Sequence, residues 1–164
     1  MLILFLFMMG CSQISTPNLS HPKSVKHWSK LTLREKEAQM IMVRIRGDFY
    51  HDEHWYRKSL KKWISEDGIG GVISFGGSIH GTFYNIQTFQ KWAKIPLLVS
   101  ADYERGLGQW MRGATLFPSN MAVSATGNTD LSYKQGQVTA TEANAIGVHI
   151  TLAPVMDVNN NPDN

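Results

Sequence analysis

Two apolar runs in this chain stop abruptly at a carboxylate. Ile95-Pro-Leu-Leu-Val-Ser-Ala101 runs into Asp102-Tyr-Glu-Arg-Gly-Leu-Gly108, and Ala153-Pro-Val-Met156 runs into Asp157-Val-Asn-Asn-Asn-Pro-Asp-Asn164. A strand covered on both faces reads as a continuous apolar stretch rather than as an alternating one. An acid at its end belongs on the C-terminal rim of a parallel sheet, where α/β proteins place their sites. The pattern therefore constrains the chain to a parallel α/β architecture with chemistry at one rim.

The remaining elements fit that architecture. Thr32-Leu-Arg-Glu35 is a capping box that predicts a short helix to Met40, with Leu33, Ala38 and Met40 or Ile41 toward the core. Ile41–Ile45 reads as a strand ended by Gly47. Glu53 to Ser65 carries Trp55, Leu60, Trp63 and Ile64 at helical spacing. Gly71–Phe75 reads as a second strand, and Thr82–Lys91 as a helix with Phe83, Ile86 and Phe89 on its apolar side. Ile95–Ala101 is the third strand. Phe117-Pro118 and Ala122–Gly127 read as an irregular connection. Asn128-Thr-Asp130 caps a helix to about Ala145, ended by Gly147, and Val148–Ala153 is the fourth strand. Four such units amount to about half of an eight-unit (β/α)8 barrel. An open doubly wound sheet is the alternative, but Gly68-x-Gly70-Gly71 precedes a strand rather than opening a helix, so no dinucleotide loop is present.

Composition narrows the function classes. Hydrophobic residues make up 43% of the 164, enough for a core, and the net charge is only +3. The basic groups Lys23, Lys26, Lys30 and Arg57, Lys58, Lys61, Lys62 read as solvated surface. No basic run interleaves with aromatics, which argues against nucleic-acid binding. The single cysteine, Cys11, excludes an internal disulfide. Leu2–Met9 is too short to span a bilayer as a helix and has the length of an export-signal core. With Gly10-Cys11 it resembles the lipid-attachment site of bacterial lipoproteins, although no Lys or Arg precedes the run. The expected organisation is a signal segment over 1–11, a Ser/Thr/Pro/Asn-rich tether over 12–30, and a barrel segment over 31–164. Cys11 is then the lipid-attachment residue, holding the protein at a membrane surface of the cell envelope.

Several side chains invite chemical readings. Asp102 and Glu104 are two apart in an extended segment and so point the same way. They can be read as an acid–nucleophile pair, as an Asx-turn with Glu104 on Arg105, or with Asp102 as an acceptor for sugar hydroxyls. His51-Asp-Glu-His54 has the look of a metal cluster, but no third ligand is spaced to join it, so it reads as a solvated helix start and no metal site is assigned. His80, in a loop, and His149 read as hydrogen-bonded structural residues.

The chain resembles the N-terminal barrel of glycoside hydrolase family 3. The matching segments, in order, are Leu31-Thr-Leu-Arg-Glu-Lys-Glu-Ala-Gln-Met40, Gly68-Ile-Gly-Gly-Val-Ile73, Ile95–Gly106, Phe117-Pro118, Thr139-Ala-Thr-Glu-Ala143 and Ala153–Pro162. The resemblance implies that Asp102 binds hydroxyls of the sugar in the cleaved subsite and is not the nucleophile. In members acting on N-acetylglucosamine an Arg stands eight residues further on. Here that position is Trp110, which can stack on a sugar or simply pack, while Arg112 lies two residues beyond. Asp157 matches an acid expected to be buried and to support the pocket wall or touch substrate. The implied reaction is retaining exo-hydrolysis of a terminal β-linked N-acetylhexosamine, with no metal or organic cofactor. A β-glucosidase is the alternative. The acid/base His loop, Lys-His-Phe-x-Gly-His-Gly, and the nucleophile Asp are expected beyond Asn164, so no residue here is assigned a catalytic role. A third expectation follows for the polypeptide alone: a non-catalytic piece, weakly sugar-binding or aggregation-prone, because a half-barrel exposes two sheet edges.

Overall fold

The structure is a computed structural model that describes residues 28–157 together with 160, 161 and 163. The signal segment, Cys11 and most of the tether lie outside the described residues. The last three tether residues, Trp28–Lys30, form a 3-10 turn. Among the described residues no helix is long and apolar enough to cross a membrane.

The first helix, α1 (Leu33–Ala38), starts at the predicted capping box: the Thr32 hydroxyl accepts from the Glu35 N–H, and the Glu35 carboxylate accepts from the Thr32 N–H. Strand β1 (Met42–Gly47) follows, then α2 (Trp55–Lys62), which widens into a π turn over Trp63–Asp67. Next come β2 (Gly71–Gly77), α3 (Ile79–Trp92) and β3 (Leu98–Ala101). A 3-10 turn at Leu107–Gln109, a short α4 (Asn120–Ser124), the long α5 (Thr129–Ala145) and β4 (Ile150–Thr151) complete the order.

The four strands are all parallel and lie in chain order β1-β2-β3-β4. This order separates the two expected architectures. A doubly wound sheet reverses its strand order at a switch point, whereas successive right-handed crossovers that always step the same way produce a barrel wall. The fold is a partial (β/α)8 barrel of four strands.

In register, Val43, Val72 and Val99 align across the sheet, as do Ile45, Ser74 and Ala101. These residues face the helices and build the core with Leu60, Ile64, Ile86 and Phe89. The other face carries Arg44, Ile73, Ser100 and Ile150 in one row. It is the lumen face of the barrel wall, and it is more open: Met42, Leu98 and Ile150 are each about two-fifths exposed.

Close backbone approach fixes the upper rim. Gly77, at φ +95°, lies so near Gly47 that a Cβ there would sit 2.3 Å from the Gly47 carbonyl carbon. Asn85 in α3 donates to the carbonyls of Arg46 and Asp48, each at 2.9 Å, and so locks α3 to the end of β1.

Several sequence expectations shift. Leu33 and Met40 are exposed rather than packed, and of the expected α1 core residues only Ala38 is buried. Trp55 and Phe83 are also exposed, because helix spacing alone does not say how wide the covered stripe is. Helix α3 begins three residues early, capped by Ser78, so His80 is in its first turn rather than in a loop. Strand β3 begins at Leu98 because Pro96 has no N–H to give and both backbone groups of Leu97 pair with the Gln90 side chain. The connection before α5 contains two short helical turns. Strand β4 spans two residues, not six.

Candidate functional site

At the C-terminal rim, β3 ends in Asp102-Tyr103-Glu104. Tyr103 continues the core face: it is buried, its hydroxyl donates to the Met111 sulfur at 3.7 Å, and burial raises its phenol above the ordinary value. The two-residue alternation then sets Asp102 on the lumen face. Asp102 is partly buried, and its Oδ1 is out of contact with water and accepts no hydrogen bond. A shielded acceptor without a donor is costly, of the order of 1–3 kcal/mol.

Trp110 reaches back over this strand end. Its indole N–H donates to the Asp102 backbone carbonyl at 2.7 Å. Its ring meets Phe75, from the lumen face of β2, edge to face, at 5.5 Å between centroids and 86° between planes. The Arg44 guanidinium lies 5.1 Å over the Phe75 ring. Arg44, Phe75, Trp110 and Asp102 thus form a continuous group on the lumen side of the rim.

The loop that carries Trp110 is held at several points. Gly108 donates to the Thr115 carbonyl at 2.8 Å, and Phe117 donates to the Arg105 carbonyl at 2.9 Å. Glu142 of α5 accepts both the backbone N–H and the hydroxyl of Thr115. Gln135, also of α5, donates to the Glu104 carbonyl at 3.0 Å. The sequence reading gave Glu142 and Gln135 no role. The signal was there for Glu142: with Thr139, Ala143 and Ile146 it shares the face of α5 that the protein buries, an unusual place for a lone carboxylate.

The other expected residues fall as follows. The Arg112 N–H donates to the Gly77 carbonyl at 3.0 Å, and the Arg112 carbonyl accepts from Ile79, so its backbone is pinned to the end of β2 while its side chain is exposed. Asp157 departs from expectation. It lies six residues past the end of β4 and is exposed, not buried at a strand end. The reason is local: β4 has only β3 beside it among the described strands, and Pro154 has no N–H with which to extend the ladder. The Asp102 and Glu104 side chains share no hydrogen-bonding partner; Glu104 is tied by its carbonyl to Gln135. His54 caps α2, its Nδ1 accepting from the Tyr56 N–H, and the His51 Nδ1 accepts from the Glu53 N–H. His149 is bonded within the sheet, its Nδ1 accepting from the Val99 N–H at 3.0 Å. A concavity between α5 and the segment after β4 adjoins the same strand end: Tyr103 and Glu104 line it together with residues such as Ala140, Ala143, Val148 and Val155.

Comparison with known proteins places this rim in a family. A β-N-acetylglucosaminidase/β-glucosidase from Cellulomonas fimi is 37% identical over 93 residues, covering 57% of this chain and 16% of that protein. Beta-hexosaminidase A from Pseudoalteromonas piscicida is 32% identical over 123 residues, covering 64% of this chain and 20% of that protein. Among solved structures, the β-glucoside phosphorylase BglX bound to 2FGlc superposes with a TM-score of 0.71 at 28% identity, over 83% of this chain and 24% of that one. NagZ from Neisseria gonorrhoeae, at 21% identity and a TM-score of 0.54, shares the fold over 72% of this chain and 37% of that one. The chain therefore spans about a fifth of the length of the curated relatives it matches. The model of the glycosyl hydrolase family 3 N-terminal domain matches residues 32–164, and the chain belongs to that family.

Proposed function

We propose that this chain provides the sugar-gripping rim of a retaining exo-β-glycosidase that releases terminal β-linked N-acetylhexosamine. The observation that carries the reading is Asp102, only partly buried and set on the lumen face at the end of β3, with the exposed Trp110 ring tied to its carbonyl. An ionised carboxylate on such a rim is acceptor-only, so it favours hydroxyl-rich ligands. Asp102 acts here as an anchor and not as the nucleophile. Arg112 and Asp157, both exposed, enter as direct ligand contacts rather than as supports of the wall. A β-glucosidase is the second reading, favoured by the relative from Cellulomonas fimi, whose name joins both activities. Attachment of the exported protein to a membrane surface through Cys11 is proposed from the leader alone.

The test uses the longest open reading frame that contains this segment, assayed on p-nitrophenyl β-N-acetylglucosaminide and on the corresponding β-glucoside. Asp102→Asn is expected to lower kcat/KM about 10- to 100-fold, the scale for losing a charged hydrogen bond. An unchanged kcat/KM on both substrates would remove Asp102 from the site. Faster turnover of the glucoside by the unmodified enzyme would favour the second reading.

A further inference from the structure

We propose that Trp110 is the stacking platform of this rim and that it makes the site read the face of a β-gluco-configured pyranose rather than the substituent at its second carbon; this rests on the sugar-gripping reading of Asp102. Three observations carry it. First, the ring is held before any ligand arrives. Its N–H is fixed on the Asp102 carbonyl at 2.7 Å, and its ring meets Phe75 at 86° between planes. Its backbone N–H and that of Met111 both donate to the Leu107 carbonyl, and Leu107 and Met111 are buried to either side. A side chain fixed twice loses little rotamer freedom on binding.

Second, 38% of Trp110 remains exposed, although the loop around it is hydrogen-bonded and its neighbours Leu107 and Met111 are buried. An indole anchored by its N–H and still more than a third exposed is suited to contact with an apolar ligand face. A β-gluco pyranose has such a face, since its ring hydrogens are axial and its hydroxyls equatorial. Because the ring is tied to the residue that bears the anchoring carboxylate, a sugar stacked on it would hold its equatorial hydroxyls toward Asp102.

Third, the indole has a single polar hydrogen, and the Asp102 carbonyl uses it. Trp110 thus has no donor left for an N-acetyl oxygen or a hydroxyl. A cation at this position would recognise such groups by hydrogen bonding, whereas this ring can recognise only shape and apolar surface. The expected specificity is broad at the second carbon, with glucosides and N-acetylglucosaminides held about equally.

The experiment titrates the full chain with methyl β-D-glucopyranoside and, separately, with methyl N-acetyl-β-D-glucosaminide. Binding is read by calorimetry and by the 1H–15N signal of the Trp110 indole N–H. The expected results are affinities within about 3-fold of each other and a shifted Trp110 signal. Trp110→Leu should weaken both ligands about 10-fold, and Trp110→Phe, which keeps a ring but no N–H, should stay within about 3-fold of the parent. Equal losses in the Leu and Phe variants, an unshifted indole signal, or full affinity in Trp110→Leu would overturn the platform. If Asp102→Asn still abolishes binding in those cases, the sugar-gripping reading stands. Should the unmodified chain bind neither glycoside, both ideas fall together.

Discussion

Glu142 accepts both hydrogens that Thr115 offers, its backbone N–H and its hydroxyl, and so joins the middle of α5 to the loop that carries Trp110. The two residues are 27 apart in sequence. Removing the carboxylate leaves a half-buried N–H and O–H without their partner. Glu142→Ala is expected to destabilise the fold by about 1–3 kcal/mol and to raise hydrogen exchange across residues 105–117. Chemical denaturation and exchange mass spectrometry measure the two effects. Exchange confined to α5 would show that the loop is held by other contacts.

Two glycines should respond in opposite directions. Gly77 combines a left-handed φ of +95° with backbone 2.3 Å from where a Cβ would stand, so Gly77→Ala should cost more than about 2 kcal/mol through strain and collision. Gly136 sits in the interior of α5 with nothing within 4 Å of its Cβ position, and Gly136→Ala should stabilise by about 0.4–1 kcal/mol. Paired urea titrations settle both signs.

Tyr103 gives the fold an alkaline limit. Burial raises its phenol above the ordinary value of 10.0. A group whose folded-state pKa lies above its unfolded one contributes stability that is complete below the unfolded value and is lost as pH rises toward the folded one. Stability should therefore decline above about pH 10, and Tyr103→Phe should blunt that decline while changing stability little at neutral pH. Unfolding midpoints between pH 7 and 11 test this, and identical pH profiles for the two proteins would contradict it.

Glu35 works in the opposite sense at acid pH. The hydrogen bonds from Thr32, backbone first and then hydroxyl, lower its carboxyl below the ordinary value of 4.5. A depressed carboxyl stabilises the folded state above the unfolded value and loses that contribution as pH falls through the folded one. The Glu35 carboxyl should titrate below 4.5 by NMR, and Thr32→Ala should move it back up. No upward movement would mean that the Thr32 hydroxyl does not hold the Glu35 carboxylate in solution.

Acylation of Cys11 is the expectation that bears on location. When residues 1–164 are expressed in a bacterial host, detergent should be needed to extract the protein, and Cys11→Ser should release it to the soluble fraction. Mass spectrometry of the N-terminal peptide should show a diacylglycerol-bearing cysteine. A leader that is retained or cleaved elsewhere would withdraw the proposal.

Local physics made much of this protein legible from its sequence. The capping box at Thr32 and Glu35, the start of α5 at Asn128, its end before Gly147, and the acid after β3 depend on neighbours within a few residues, and all stand where the residue pattern put them. What lay beyond reach required partners distant in the chain. The strand order that makes the sheet a barrel wall is a property of four segments together. The exposure of Leu33, Trp55 and Phe83 depends on what lies against each helix. The shortness of β4, and with it the exposed place of Asp157, depends on which strands stand beside it. The same holds for Trp110: its sequence position marked it as different, but only the fold joined its N–H to Asp102 and its ring to Phe75. Helix caps and turns are written in adjacent residues, whereas burial and the meeting of side chains are decided by long-range packing, which sequence spacing does not encode.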